Sequence, residues 1–138
     1  MSGVTETFKI GLFPMCADIL HAGHILALQE AKHNCEYLIV ALNTAPDGKH
    51  PIQSVFERYT QLQAVSYVDQ IIPYQGRRDL ELIASSLNYH IRFLGSDYIE
   101  KDWDGKLQEQ SRDIKPFFIS RHHGMSSSNL KQRLIQHD

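Results

Sequence analysis

Apolar positions along this chain of 138 residues fall into short blocks that alternate between two periodicities. Phe8-Lys9-Ile10-Gly11-Leu12-Phe13 is short, apolar and aromatic-rich, the pattern of a buried strand. From Ala22 to Lys32, Ile25, Leu26, Leu28 and Ala31 recur at helical spacing, and His33-Asn34 closes the segment. Tyr37 to Leu42 is an unbroken apolar run of strand length, as a strand covered on both faces requires. Asn43 to Pro51 holds two prolines and a glycine and reads as an irregular loop. Ser54-Val55-Phe56-Glu57 has the spacing of a capping box, which opens a helix running to about Val65. Val68 to Pro73 predicts a strand, Leu80 to Leu87 a helix and Ile91 to Leu94 another strand. Residues 95–114 are polar and mixed. Pro116 to Ser120 predicts a last strand, and the serines at 126–128 cap a terminal helix through Ile135.

Strands alternating with helices predict an α/β fold with a parallel sheet. Right-handed crossovers narrow this to a Rossmann-like, doubly wound sheet of about five strands with helices on both faces. The length suits one domain over residues 1–138, with no linker or internal repeat. In such sheets ligands sit beyond the carboxyl ends of the strands, so residues just after strands are the ones to inspect.

Composition changes that picture little. Apolar residues make up 42% and charged residues 22%, and no apolar run reaches the roughly 20 residues of a membrane span. Met1 to Lys9 lacks a basic cluster followed by an apolar run, so no secretory signal is expected. Cys16 and Cys35 read as reduced, buried thiols, which points to the cytoplasm. A net charge of −2 gives no support for nucleic acid as a partner. Histidine is the exception: there are eight, and His21, His24, His122 and His123 fall in two tight pairs.

Asp18-Ile19-Leu20-His21-Ala22-Gly23-His24 follows the first strand and opens the first helix. Three residues apart, His21 and His24 project from one face. Gly23 removes a side chain where a ligand must approach the backbone, and the helix N-terminus favours an anion. The arrangement suits a polyphosphate clamp; a helix start flanked by two histidines without a chemical role is the plainer alternative. Zinc would need further ligands from His122 and His123, and adjacent histidines rarely both bind one metal. Ser126-Ser127-Ser128 starts the last helix, where hydroxyls and free N–H groups form a second anion cradle as well as a cap. Lys131 adds positive charge one turn on.

Taken in order, five segments resemble the cytidylyltransferase-like branch of the HxGH nucleotidyltransferases, glycerol-3-phosphate cytidylyltransferases among its small members. They are Asp18 to His24, Glu57-Arg58, Tyr67 to Ile72, Gly95-Ser96-Asp97-Tyr98, and Arg121 to Lys131. The resemblance runs from Ile10 to about Leu134. It implies a homodimer, a magnesium–nucleotide substrate and attack on the α-phosphate, with CMP passing from CTP to glycerol 3-phosphate or a related polyol or amino-alcohol phosphate. It implies catalytic roles for His21, His24, Lys49, Arg121, Ser126 and Ser127. It implies nucleotide contacts from Met15, Cys16, Ala17, Asp18, Gly23, Gly95, Asp97, Arg121, Gly124, Met125, Ser126, Ser127 and Lys131. Mg2+ would be held through phosphates rather than side chains. An anionic phosphomonoester needs no strong general base, so the task is alignment and charge neutralisation.

The chain departs from the family pattern at Met15-Cys16, where glycine and a small hydroxyl residue are usual, and at Ala17, where phenylalanine is usual. Ser66 replaces an arginine and Ser96 an aspartate of the glycerol-phosphate enzymes. These positions bear on the acceptor more than on phosphate chemistry. Three other readings stay open. One is an adenylyltransferase of the same fold, using ATP and a sugar phosphate or cofactor precursor. Another is an inactive nucleotide-binding domain. The last is a fragment related to class I aminoacyl-tRNA synthetases, whose lysine-methionine-serine loop Met125 to Ser128 is similar to; the chain has no room for tRNA-binding domains.

Overall fold

The computed structural model describes residues 8–120 and 127–136. Five parallel strands form one sheet: β1 (Ile10–Met15), β2 (Tyr37–Asn43), β3 (Gln70–Tyr74), β4 (Ile91–Gly95) and β5 (Lys115–Ile119). Five helices join or follow them: α1 (Ala22–His33), α2 (Val55–Gln63), α3 (Gly76–Ser86), α4 (Lys106–Ser111) and α5 (Ser127–Gln136), with a 3-10 turn at Ser96–Tyr98. The strand order is β3-β2-β1-β4-β5. The chain therefore winds outward from β1 one way, then returns to lay β4 on its other side. The switch point lies between β1 and β4, where the expected Rossmann-like arrangement places its ligand.

Side-chain alternation along the strands divides the interior in two. Phe13, Val40, Leu42, Phe93 and Ile119 pack against Leu28 and Ala31 of α1 and Leu62 of α2. Leu12, Ile39, Ala41 and Tyr74 face the other way, against Leu80 of α3, with Tyr89 and Ile114. Both faces of β2 are covered, which is why its sequence is apolar without interruption. The capping box at α2 forms as predicted: the Glu57 N–H donates to Ser54 Oγ at 3.1 Å, and the Ser54 N–H to Glu57 Oε1 at 2.9 Å.

Several boundaries differ from the sequence expectation. β1 begins at Ile10, in register with Tyr37, and Phe8 is exposed instead of buried. β3 starts at Gln70 and α2 ends at Gln63, each within two residues of expectation. α3 starts at Gly76, four residues early, where Asp79 accepts the Gln75 N–H at 2.8 Å. Cys16 and Cys35 are free thiols, as expected, but only half-buried.

α4 was not foreseen, because the residue it buries is a carboxylate. Glu109 is 2% exposed. Its Oε2 accepts from Arg92 Nη1 at 2.9 Å and from the Tyr89 hydroxyl, and its Oε1 from Trp103 Nε1 at 2.8 Å. Arg92 is itself 4% exposed, on β4. A buried carboxylate of this kind survives because both of its oxygens are met by donors, one of them cationic. Burial, reinforced by Glu109, pushes the Tyr89 phenol well above its ordinary value. Glu109→Ala leaves the Arg92 charge buried without its partner, and should lower unfolding free energy by about 3–5 kcal/mol in urea titration. A loss under about 1 kcal/mol would show that the pair carries no structural weight.

Candidate active site

The turn from β1 to α1 is held in a conformation that side chains resist. Ala17 and Ile19 have φ of 57° and 49°, the left-handed region, which costs a β-branched residue about 1–3 kcal/mol. Reciprocal hydrogen bonds tie this turn to the segment before α2. Asp18 Oδ2 and Oδ1 accept the Ile52 and Gln53 N–H groups, each at 3.0 Å, and Gln53 Oε1 accepts the Ile19 N–H at 2.7 Å. Burial would raise the Asp18 carboxyl, but the Gln53 and Ile52 N–H groups and Lys131 outweigh it and hold the pKa below its ordinary value. Asp18 is thus a strap between loops. Ala17, 2% exposed, packs into the α1-side core, leaving its backbone for any ligand contact.

Beneath this turn lies Arg58, 2% exposed. Its guanidinium donates to the carbonyls of Cys16 (2.9 Å), Asn43 (2.7 Å), Thr44 (3.2 Å) and Gln53 (3.3 Å). It gathers the chain just beyond β1, the end of β2 and the entrance to α2 around one cation. Arg58 and Gln53, to which the sequence assigns no role at the site, position its loops. Arg58 was visible only as half of the Glu57-Arg58 pair.

His21 and His24 cap their own helix. His21 Nδ1 accepts the Gly23 N–H at 2.9 Å, and His24 Nδ1 accepts the His21 N–H at 3.2 Å; the rings lie 4.1 Å apart. The plain capping role and the ligand role are therefore compatible. With Nδ1 accepting from the backbone, each neutral ring carries its proton on Nε2 and offers a donor. Burial, then repulsion from His21 against a smaller pull from Asp18, drives His24 down to about 4. His21 is also lowered, by burial and then by the positive charge of Arg133 on α5.

That influence, with the 3.4 Å contact of Lys131 Nζ to Asp18 Oδ2, brings the start of α1 and the body of α5 together. Glu30 of α1 accepts from the Ser120 N–H at 3.1 Å and from its hydroxyl at 3.1 Å, anchoring the end of β5 to the same helix. Arg121, Gly124, Met125 and Ser126 lie outside the described residues, as do His122 and His123. Ser127 is described only by its place as the first residue of α5.

A cavity of about 450 Å3 opens at the carboxyl ends of β1, β2 and β4. Met15, Cys16, Lys49 and Gly95 line it, four of the predicted residues. Asp97 folds its carboxylate over Gly95, so that a Cβ there would meet Oδ1 at 2.6 Å. The rest of the polar and aromatic lining includes the buried Arg92 and Tyr74 with Trp103, and the exposed Tyr98, Asp102 and Asp104; of these only Tyr98 lay in a segment singled out from the sequence. Leu80 and Arg92 place much of the cavity on the α3 side of the sheet; His21, Gly23 and His24 are not among the residues that line it, and Cys16 is where its lining ends toward their turn. Among the described residues, no group of three His, Cys, Asp or Glu could hold a metal ion, and no helix is long and apolar enough to cross a membrane.

A doubly wound sheet with an imidazole-capped helix and a cavity at its switch point defines a nucleotide-handling protein, and relatives identify which. The family model described as Cytidylyltransferase-like matches residues 12–133. Glycerol-3-phosphate cytidylyltransferase from Staphylococcus aureus (strain NCTC 8325 / PS 47) is 29% identical over 125 residues, covering 88% of this chain and 91% of that protein. Bifunctional protein HldE from Granulibacter bethesdensis (strain ATCC BAA-1260 / CGDNIH1) is 36% identical over 138 residues, covering 96% of this chain and 27% of that protein. The chain thus spans only about a quarter of HldE. The crystal structure of the lipopolysaccharide core biosynthesis protein from Thermoplasma volcanium GSS1 superposes with a TM-score of 0.68 at 26% identity, over 83% of this chain and 98% of that one. The molecule is a nucleotidyltransferase. This chain belongs to the cytidylyltransferase-like family.

The pKa of His24 gives a direct test. Its folded value lies below the ordinary 6.5, so the unfolded chain takes up the proton first as pH falls. This contribution to stability is complete above pH 6.5 and is lost on descending toward about 4. Imidazole NMR of the ligand-free protein should place the His24 midpoint near 4. A midpoint at or above 6 would contradict the buried, neutral ring.

Proposed function

We propose that the chain transfers CMP from CTP to a phosphorylated small molecule, glycerol 3-phosphate or a related polyol or amino-alcohol phosphate, with release of pyrophosphate. The observation that carries this reading is the approach of α5 to the α1 turn, marked by the Lys131–Asp18 contact. That contact supports a reading in which the starts of α1 and α5 would both face one triphosphate, with the acceptor in the neighbouring cavity. A phosphate oxygen of the acceptor would attack the α-phosphorus in line. The new P–O bond forms as the bond to the β-phosphate oxygen breaks, and the electron pair leaves with pyrophosphate.

His21 and His24, neutral with the proton on Nε2, would donate to α-phosphate oxygens as charge builds there. Arg121, Ser126, Ser127 and Lys131 would meet the β- and γ-phosphates, while Lys49, exposed at the cavity mouth, would steady the incoming acceptor phosphate. Mg2+ fits as a partner of the nucleotide phosphates, whose charge it would neutralise. Asp18, the carboxylate of the turn, has both oxygens engaged by N–H groups. A cytoplasmic homodimer remains the expectation; Ile52 and Phe56, 66% and 78% exposed beside the Asp18 strap, provide apolar surface for such contact.

Adenylyl transfer to a sugar phosphate is the second reading, favoured by a cavity larger than glycerol 3-phosphate fills. A pyrophosphate-release screen of CTP and ATP against phosphorylated polyols, sugars and amino alcohols separates the two. CTP turnover with a phosphomonoester is the expected result, and no release with any pair overturns the proposal. His24→Ala should lower that rate by ~10²-fold or more with the fold retained; near wild-type turnover would remove the histidine from the chemistry.

A further inference from the structure

The deep wall of the cavity contains a cation that the reaction scheme above leaves unused. Arg92 is 4% exposed and lines the cavity. Both of its hydrogen bonds leave from Nη1, to Glu109 Oε2 at 2.9 Å and to the Asp104 carbonyl at 3.2 Å. Its Nε is buried and makes no hydrogen bond, and its Nη2, on the same edge, has no hydrogen-bond partner among the described residues either. A buried guanidinium donor without an acceptor costs free energy unless something else supplies the oxygen. Glu109 cannot: its oxygens are shared among Arg92, Tyr89 and Trp103.

Position and charge narrow what that something is. Arg92 lies three residues before Gly95, the end of β4, or about 10 Å back from the rim where transfer would occur. The Arg92 charge is already balanced by Glu109, and Asp102 and Asp104, paired with Lys106 and Arg77, leave the same wall without excess positive charge. A second anionic group is therefore disfavoured there, and the phosphate of the acceptor belongs at the Lys49 end. The wall combines a donor edge, carboxylate acceptors and the aromatic rings of Tyr74, Tyr98 and Trp103. An uncharged hydroxyl both accepts from the guanidinium and donates to a carboxylate.

We infer that Arg92 is a specificity-determining residue, which reads a hydroxyl at the far end of an acceptor longer than three carbons. The inference rests on the proposed nucleotidyl transfer only for calling the ligand an acceptor; binding can be measured without turnover. Tyr89, Glu109 and Trp103 act through Arg92, holding its Nη1 so that the opposite edge stays turned to the ligand.

The test uses glycerol 3-phosphate, ribitol 5-phosphate and sorbitol 6-phosphate as probes, with affinities measured by calorimetry on the intact protein. Wild-type protein should bind the two longer esters at least 10-fold more tightly than glycerol 3-phosphate, since a hydrogen bond to a charged donor is commonly worth that much. Arg92→Lys keeps the charge beside Glu109 and removes the fork, so it should erase the length preference, the longer esters falling to the affinity of glycerol 3-phosphate. Near-ultraviolet dichroism of Trp103, the chain's one tryptophan, reports whether the variant folds. Equal wild-type affinities for the three esters, or no binding of any, overturn the inference whether or not the variant folds. A length preference kept by folded Arg92→Lys overturns it also. Selective binding without pyrophosphate release would instead count against the transfer reaction and leave the role of Arg92 standing.

Discussion

Parallel strands that end together leave a row of carbonyl groups pointing out of the sheet, with no next strand residue to satisfy them. Here a single buried guanidinium, Arg58, collects carbonyls from beyond β1, from the end of β2 and from the segment entering α2. Everything at the rim inherits its position from that gathering. The Asp18 and Gln53 straps can reach each other because their loops are already held together. The left-handed Ala17 and Ile19 persist because the surroundings over-determine them.

From this fixed rim the two faces of the sheet take different tasks. On the α1 side, two imidazoles each accept a backbone N–H of the helix start at Nδ1, which leaves Nε2–H as the donor that the proposed reaction would use. Neutrality matters there. A neutral donor stabilises developing charge without first paying to desolvate an imidazolium, and the nearby positive charges of Lys131 and Arg133 supply attraction for a polyanion. On the α3 side, the Arg92–Glu109 pair braces Trp103 and the Asp104 backbone, so the depth and chemistry of the cavity are set by a buried polar network. Met15 and Cys16, where the chain departs from the family pattern, both line the cavity.

Elements whose signal was apolar periodicity or capping chemistry could be read from the chain: β2, α1, the Ser54–Glu57 box and the alternating order that makes the sheet parallel. The histidine turn was legible too, since its residues are neighbours in sequence and its position after a strand carries meaning. The short α4 was not, because periodicity looks for buried apolar residues and the buried one is Glu109. Arg92 and Arg58 escaped notice for the same reason: a buried arginine looks like a surface arginine until the carbonyls and carboxylate that hold it are placed. Asp18 entered as a nucleotide contact only through the family resemblance, with a structural cap as its other reading; its partners at Ile52 and Gln53 are 34 and 35 residues away, a pairing no local pattern reveals.

The central claim is that one nucleotide tail engages the beginnings of α1 and α5 together. Backbone amide NMR during titration with magnesium and CTP addresses it directly, with the Gly23 and Ser128 amides as reporters. The account predicts that both signals move with a single common midpoint. Movement of one without the other, or two well-separated midpoints, would contradict a shared site.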